Sequence, residues 1–186
     1  KDEYQQLMNT FVNDTSVRSR LVGVGVITPE DAAKYGMVGP FGRASNLNND
    51  VRRLGNGGYK YLSDFQPILS TDGDCMARVI VRAQEVLQSI DIINEMCATI
   101  PEGDIAVPVK GSPKAGAQAC NALEQPRGEC YYYAMGNGTK YLERMRIRTP
   151  TSANLAGMAT ALAGCELTDV NMIVLTIDPC ISCTER

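Results

Sequence analysis

The chain contains no histidine and no tryptophan. Histidine is the side chain that most often serves as a general base near neutral pH and as a nitrogen ligand for metals. Its absence means that any bound metal must be held by sulfur or oxygen atoms. With only 3 Phe and 8 Tyr, we expect the core to consist mainly of Ile, Val, Leu, Met and Ala.

Two further features are missing. The formal net charge is −3, so the chain lacks the basic excess of nucleic-acid-binding proteins, and we expect no nucleic-acid partner. No run approaches the ~18 apolar residues of a membrane span, and no signal peptide is predicted. With 186 residues and 44% hydrophobic content, the chain can form a real core. It begins with Lys rather than Met, and we expect it to be part of a longer protein.

The seven cysteines do not predict a disulfide framework, because their number is odd and they are spread over the whole chain. Several lie in apolar segments, as buried free thiols do. The pattern indicates a reducing compartment. We expect Cys75, Cys97 and Cys165 to pack as small hydrophobic side chains.

Apolar periodicity predicts a mainly α-helical fold, a bundle around one long central helix, with a small β-hairpin. The long helix is predicted from about Gly73 to Thr99, and Pro101 ends it. Shorter helices are predicted at residues 1–12, 28–36, 149–163 and 168–177. The expected buried face of the long helix consists of Met76, Val79, Ile80, Ala83, Val86, Leu87, Ile90, Ile93 and Cys97.

The remaining segments have less regular patterns. Strands at 128–135 and 139–148, joined by a turn at 136–138, predict the hairpin. Residues 101–127 show little periodicity. Residues 39–58, rich in Gly, Asn and Arg, predict a long ordered loop. In that loop we expect Arg43, Asp50 and Arg52 to be solvated.

Cys180 and Cys183 lie three positions apart in the segment Asp-Pro-Cys-Ile-Ser-Cys, close to the last residue. Thiolates at this spacing can bind one soft metal ion, or two metal ions that share a bridging sulfur. Three alternatives remain open: a redox dithiol, half of a zinc site, or two ordinary thiols. The pair follows a predicted helix rather than beginning one, which argues against a redox dithiol. No other cysteines have the spacing that would complete a four-thiolate zinc site.

A second candidate segment, Glu124-Gln-Pro-Arg-Gly-Glu129, places Arg127 between a proline and a glycine. A rigid turn of this kind can direct a guanidinium at a fixed point. The simpler interpretation of these residues is a surface salt bridge from Arg127 to Glu124 or Glu129.

Three segments in this order resemble the large subunit of nickel–iron hydrogenases. They are Glu-x-Pro-Arg-Gly at 124–128, Arg-Thr-Pro-Thr at 148–151 and Asp-Pro-Cys-x-x-Cys at 178–183. They are most similar to the energy-converting, membrane-associated group. Residues 23–32 and 39–45 also resemble that group and its relative, the large catalytic-core subunit of respiratory complex I. The resemblance implies that residues 1–186 form the C-terminal part of such a subunit, as a single domain, and that the protein takes part in anaerobic hydrogen oxidation or proton reduction.

The resemblance also implies a role for each matching residue. Cys180 would be a terminal ligand of nickel, and Cys183 would bridge nickel and an iron that carries cyanide and carbon monoxide. Arg127 would lie over the open metal position as a base partner in splitting hydrogen. Asp178 would fix its guanidinium. With Arg127 and Asp178, Cys180 would form the catalytic group.

Two further positions complete the comparison with the hydrogenases. Thr151 and the backbone around Pro150 would hydrogen-bond a cyanide ligand on iron. Arg186 stands where many family members end in a metal-binding histidine, and because arginine cannot ligate a cation, the resemblance does not extend to a magnesium site. The family supplies two more thiolates from a second Cys-x-x-Cys, which this chain does not contain. We therefore expect the isolated chain to hold the nickel–iron centre incompletely and to be inactive.

The partners implied are a small subunit with iron–sulfur clusters, other subunits of a membrane-associated complex, and ferredoxin. The resemblance implies a cytoplasmic location, peripheral at the inner face of the cell membrane. One alternative is a complex I-type quinone-reductase core subunit without hydrogen chemistry, and another is a non-catalytic metal-binding scaffold. Both terminal cysteines, and Arg127 where complex I relatives tend to carry Lys, favour the hydrogenase.

Overall fold

A computed structural model describes residues 1–55, 59, 65–108 and 110–185. Helices predominate, and one small sheet accompanies them. Within the described residues, no helix is long and apolar enough to cross a membrane.

The elements in chain order are α1 Asp2–Asn13, α2 Thr15–Leu21, α3 Pro29–Lys34, α4 Gly39–Arg43, a 3₁₀ turn Val51–Leu54, α5 Cys75–Thr99, β1 Gln118–Gln125, β2 Gly128–Gly136, β3 Leu142–Arg148, α6 Pro150–Leu162, a 3₁₀ turn Leu167–Asp169, α7 Val170–Ile177 and α8 Ile181–Thr184.

Side-chain caps set the beginnings of the predicted helices. Thr28 Oγ1 accepts a hydrogen bond from the Asp31 amide at 3.1 Å, and Pro29 begins α3. At the start of α5, Asp74 accepts from the Ala77 amide at 2.7 Å. Such caps satisfy backbone donors that the first helical turn leaves unpaired. The predicted helix starts are therefore close to the observed ones.

The main core lies between α3, α4, the first turns of α5, and α7. Ile27, Met37, Phe41 and Ile173 are each at most 1% exposed. Arg78 of α5 is fully buried beside them. Its guanidinium donates to the carbonyl oxygens of residues 25 and 73, both at 3.0 Å, and to the hydroxyl of residue 176 at 3.1 Å. These hydrogen bonds, together with the one that the residue 73 carbonyl accepts from the Ile27 amide at 3.0 Å, tie the start of α5 to the segment before α3.

The long helix is present as α5, but it is not buried along its whole length. Met76, Val81 and Ala83 of its first turns lie in the core. Its later turns are open, since Val86 is 42% and Ile93 59% exposed, and Cys97 is exposed as well. The expected buried face is therefore wrong for the second half of α5. The apolar spacing predicts the helix, but within the described residues the later part of its apolar face is left open.

The sheet has three antiparallel strands in the order β1-β2-β3. The predicted hairpin is confirmed as β2 and β3, with Tyr131 opposite Arg148. Strand β1 was not predicted, because its first residues are small or polar and alternate weakly. Pairing with β2 determines its structure, and Leu123 lies opposite the buried Cys130.

The segment predicted as a long solvated loop is instead buried over much of its described length. Arg43, Asp50 and Arg52 are 1%, 5% and 8% exposed. The prediction was wrong because Arg43 and Arg52 are neutralised by Asp50 and by carboxylates from α5 and β1, which the local sequence does not reveal. The part of this segment at 56–58 lies outside the described residues.

Candidate functional site

The chain reverses direction between α7 and the two terminal thiols. Asp178 adopts a left-handed backbone conformation with φ 61° and ψ 55°, and its amide donates to the Val174 carbonyl at 3.0 Å. Aspartate tolerates this conformation better than most residues. Pro179 follows and cannot continue the helix. As a result, the cysteine segment folds back against the start of α6.

Three hydroxyls at the start of α6 hold the cysteine segment. Thr149 Oγ1 donates to the Cys183 carbonyl at 2.7 Å, and Ser152 Oγ donates to the same oxygen at 3.3 Å. Thr151 Oγ1 accepts from the Cys180 amide at 3.1 Å. The two cysteines are therefore fixed through their backbone, although they lie close to the last residue.

The two thiols differ in acidity. Hydrogen bonding from the Ser182 hydroxyl, followed by the Cys183 amide and thiol, lowers the pKa of Cys180 to about 7. Burial, together with the neighbouring Cys180, raises the pKa of Cys183. Cys180 also precedes α8, so the prediction that the pair does not begin a helix is wrong. Cys180 is the thiol that ionises first.

Arg127 lies directly beside Asp178. Arg127 Nε donates to the Asp178 backbone oxygen at 2.8 Å, and Nη2 donates to Oδ1 at 3.1 Å. Arg82 approaches the same carboxylate, with Nη1 at 3.4 Å from Oδ2, and donates to the Ile177 carbonyl at 2.8 Å. Burial lowers the pKa of Arg82. The structure thus places Arg127 and Asp178 together, with Arg82 as an additional cation that the sequence did not indicate.

The alternative salt bridges of Arg127 are not formed. Glu124 accepts a hydrogen bond from Arg43 Nη1 at 2.8 Å. Glu129 pairs with Arg148 on the surface of the sheet. The two glutamates that flank Arg127 in sequence are thus engaged elsewhere, and Asp178 is its partner.

A narrow cavity connects these groups. Its walls include Arg127, Thr151 and Asp178, together with apolar side chains of α6 and α7. Pro150 is fully buried at the start of α6. The predicted residues Pro150, Thr151, Arg127 and Asp178 therefore belong to one region, and the hydrogen bond between Thr151 and the Cys180 amide joins it to the thiols.

The backbone of Arg127 is held by an unusually close approach of two glycines. A Cβ atom on Gly39 would lie 2.2 Å from the Arg127 carbonyl oxygen, and one on Gly128 would lie 2.6 Å from the Gly39 nitrogen. Both residues also have positive φ, at 70° and 127°. Only glycine fits here without displacing the turn that carries Arg127.

The donor set for a metal is incomplete in this chain. Within the described ranges, no three Cys, His, Asp or Glu side chains are grouped so that they could hold a metal ion. Cys180 and Cys183 are two soft donors of the kind that nickel and iron accept. A centre held by four thiolates therefore fits these residues only in part. Arg186, the last residue, lies outside the described range.

Comparison with known proteins gives consistent matches. The chain matches the family described as "Respiratory-chain NADH dehydrogenase, 49 Kd subunit" over residues 1–114 and 106–186. It is 36% identical over 184 residues to the carbon monoxide-induced hydrogenase of Rhodospirillum rubrum, covering 97% of this chain and 50% of that protein. It is 32% identical over 200 residues to the membrane-bound hydrogenase subunit alpha of Pyrococcus furiosus, covering 97% and 46%. It is 35% identical over 179 residues to an NADH-quinone oxidoreductase subunit of Phocaeicola vulgatus, covering 95% and 34%.

By their names, two of these three relatives are hydrogenases and one is a quinone oxidoreductase. The chain is therefore related to a class of oxidoreductase subunits. The chain belongs to the family of the respiratory-chain NADH dehydrogenase 49 Kd subunit. The resemblance to the complex I-related, energy-converting group of hydrogenases is thereby confirmed. The chain spans half of the first of these relatives, and less of the other two.

Proposed function

We propose that this chain is the C-terminal part of the catalytic large subunit of an energy-converting nickel–iron hydrogenase, which oxidises hydrogen or reduces protons. One observation carries the proposal. Two thiols three residues apart are fixed by the hydroxyls of α6, on the segment that also bears Asp178, the partner of Arg127. The two hydrogenases among the relatives support it.

Cys180 and Cys183 would supply two of the four thiolates of the centre, and the bound metals would supply the hydrogen-activating chemistry. Metal ligation requires deprotonated thiols. Cys180, with a pKa of about 7, is about half ionised at neutral pH. Cys183 would lose its proton at a greater cost, since burial raises its pKa. The order of deprotonation would therefore be Cys180 first.

Arg127 would hold a positive charge at the mouth of the cavity. A guanidinium keeps its proton at neutral pH, so the base role that the resemblance implies would require a strongly perturbed setting. Asp178 Oδ1 lies 3.1 Å from Arg127 Nη2 and would fix the guanidinium in place. In this proposal Arg127 and Asp178 act as a pair, and Arg82 partly offsets the charge of the carboxylate.

Thr151 would have two roles. Its oxygen accepts from the Cys180 amide, and its hydroxyl proton is directed at the Cys183 thiol. In the complete centre, this proton would be donated to a cyanide ligand on iron. The buried Pro150 fixes the start of α6 at this point.

The other half of the centre, with two more thiolates, would come from a part of the subunit outside these 186 residues. We further propose a small subunit with iron–sulfur clusters, other subunits of a membrane-associated complex, and ferredoxin as the electron partner. The complex would lie at the inner, cytoplasmic face of the cell membrane. The name of the Pyrococcus furiosus relative, a membrane-bound hydrogenase, supports this location.

A complex I-type quinone-reductase subunit is the second candidate. Several relatives named NADH-quinone oxidoreductase subunits favour it. A cleft of about 580 Å³ also opens beside Arg82, between the later turns of α5 and Pro126. Its apolar and charged walls suit an amphipathic ligand. A metal-binding scaffold without catalysis remains the third candidate.

The test uses the complex purified anaerobically with its native partners. Hydrogen-dependent dye reduction and nickel and iron content are measured for the natural protein, for Cys180→Ser and for Cys97→Ser. Cys97 is exposed on α5 and provides the matched control. We expect Cys180→Ser to abolish the activity and to lower the nickel content, whereas Cys97→Ser changes neither.

The other outcomes discriminate between the candidates. Quinone reduction with no bound nickel in the natural complex would support the quinone reductase. Zinc alone would support the scaffold. Hydrogen-dependent activity that persists in Cys180→Ser would refute the role assigned to this thiol.

A further inference from the structure

A fully buried arginine connects three separate parts of the chain. Arg43 Nε donates to Glu85 of α5 at 2.7 Å, and Nη1 lies 2.8 Å from Glu124 of β1 and 3.1 Å from Asp50. Arg52 adds a second cation, with Nη2 2.6 Å from Asp50 Oδ2. Two cations and three carboxylates thus form one cluster, shielded from solvent.

Glu124 joins this cluster to the candidate site. It lies three residues before Arg127, and Pro126 stiffens the connection. One oxygen of Glu124 binds Arg43, and the other accepts from the Val51 amide at 3.3 Å. Because both oxygens are bound, the end of β1 has little freedom to move relative to α4 and α5.

The turn is held on its other side as well. The Arg127 carbonyl and Gly128 pack against Gly39 with no space for a Cβ atom. Gly39 begins α4, the helix that carries Arg43. Helix α4 therefore contacts the turn twice, through its first backbone atoms and through the side chain of its last residue.

We propose that Glu124 and Arg43 are positioning residues for Arg127: they fix the height and direction of its guanidinium above the thiol segment. The inference rests on the proposed function for its kinetic consequence, but the positioning itself can be measured without activity. Neither residue touches the thiols, so both act through the backbone of the turn.

Stability alone does not account for a cluster of this kind. Burying charges has a large desolvation cost, and apolar residues of similar volume often stabilise a core equally well. Burial raises the pKa of Glu124, which shows that its charge is costly here. Ion pairs between arginine and carboxylates form only in a narrow range of orientations, so they fix the orientation of the groups that they join. A group that must be aimed at a reacting centre benefits from such constraint.

The test compares Glu124→Gln with Glu129→Gln in the purified complex. The two glutamates lie opposite each other in the register of β1 and β2, on either side of Arg127, but Glu129 pairs with Arg148 at the surface. For Glu124→Gln we expect the kcat of hydrogen-dependent dye reduction to fall about 10- to 100-fold, with an unchanged KM for the dye, because misplacement of about 1 Å has effects of this size. For Glu129→Gln we expect kcat within about twofold of the natural value.

A second readout is independent of catalysis. The rate at which phenylglyoxal modifies Arg127 is measured by mass spectrometry of the intact complex. We expect Glu124→Gln to raise this rate about tenfold, because the guanidinium leaves Asp178 more often. Glu129→Gln should leave it unchanged. Equal kcat and equal modification rates in the two variants would overturn the positioning role.

Glu124→Asp separates positioning from charge balance. It keeps the charge and shortens the side chain by one methylene, so it is informative even if Glu124→Gln fails to assemble. Positioning predicts a lower kcat and faster modification of Arg127 than in the natural protein. Natural values for both would show that only charge matters and would overturn the proposal. Absence of hydrogen-dependent activity in the natural complex would refute the proposed function alone, and the modification rates would still decide the positioning.

Discussion

Two arginines of this protein are bound by carboxylates in contrasting ways. Arg43 contacts three carboxylates and is 1% exposed. Arg127 contacts one, Asp178, and the two side chains are 35% and 41% exposed. In the first region every charge is satisfied internally. In the second, the guanidinium keeps donors and open space for another group.

The contrast shows how the same residue types serve different purposes. Burial lowers the pKa of an isolated arginine, but Glu85, Glu124 and Asp50 together raise the pKa of Arg43 above its ordinary value. Such a group stays charged and makes a fixed scaffold. A half-exposed pair with a single carboxylate can change partners at lower cost. We therefore expect substitutions in the first region to affect stability as well as the position of Arg127, and those in the second to affect activity with little loss of stability.

The largest expected effect is the difference in stability between two matched arginine-to-leucine substitutions, one at Arg43 and one at Arg127. Arg43→Leu leaves three buried carboxylates without their main partner, and we expect the free energy of unfolding of the full-length subunit to fall by about 3–5 kcal/mol. Arg127→Leu should cost at most about 1 kcal/mol, because Asp178 keeps Arg82 and water. Urea unfolding of both variants measures the difference. Equal losses would remove the distinction between the two regions.

A smaller effect on stability is expected for Asp178→Asn. Asparagine tolerates the left-handed backbone at this position, so the free energy of unfolding should change by less than about 1 kcal/mol. Hydrogen-dependent dye reduction should nevertheless fall about 10- to 100-fold, since Arg127 loses its charged partner. The measurements are kcat and thermal unfolding of the same preparation. Asp169→Asn, which removes the partner of the exposed Arg20, is the control and should alter neither.

The smallest expected effect concerns the ionisation of the Cys180 thiol. Metal-free Cys180 should react with iodoacetamide with a half-maximal rate near pH 7, because its lowered pKa produces thiolate at neutral pH. Ser182→Ala removes the largest cause of the shift and should move this midpoint upward. Exposed Cys97 provides the reference in the same digest. A Cys180 midpoint near the ordinary thiol value of about 8.5 would contradict the prediction.

The sequence was most informative where local rules determine structure. Hydroxyl or acid caps and early prolines predicted the starts of α3 and α6, and helical spacing predicted α5. The caps and the helical spacing depend on residues close together in the chain. The resemblance implied that Asp178 fixes the Arg127 guanidinium, and the structure brings these two residues together across 51 positions.

The misleading segments depend on distant residues. Arg43 meets Glu85 and Glu124, 42 and 81 positions away, so a charged segment that looked solvated is buried. The later turns of α5 carry apolar residues at helical spacing, yet Val86 and Ile93 are exposed within the described residues. Arg82 donates to the backbone carbonyl of Ile177, and Gly39 packs against the backbone of Arg127. Neither contact is encoded by a local sequence pattern.

The conformation of Asp178 restricts which substitutions selection can accept there. Asparagine would preserve the reversal of the chain but discard the anion, while glutamate would preserve the anion but fit the reversal poorly. Glycine would retain only the bend. Of the twenty amino acids, aspartate alone combines both properties at this step of the chain, so a lineage that loses it has no single replacement that restores them together.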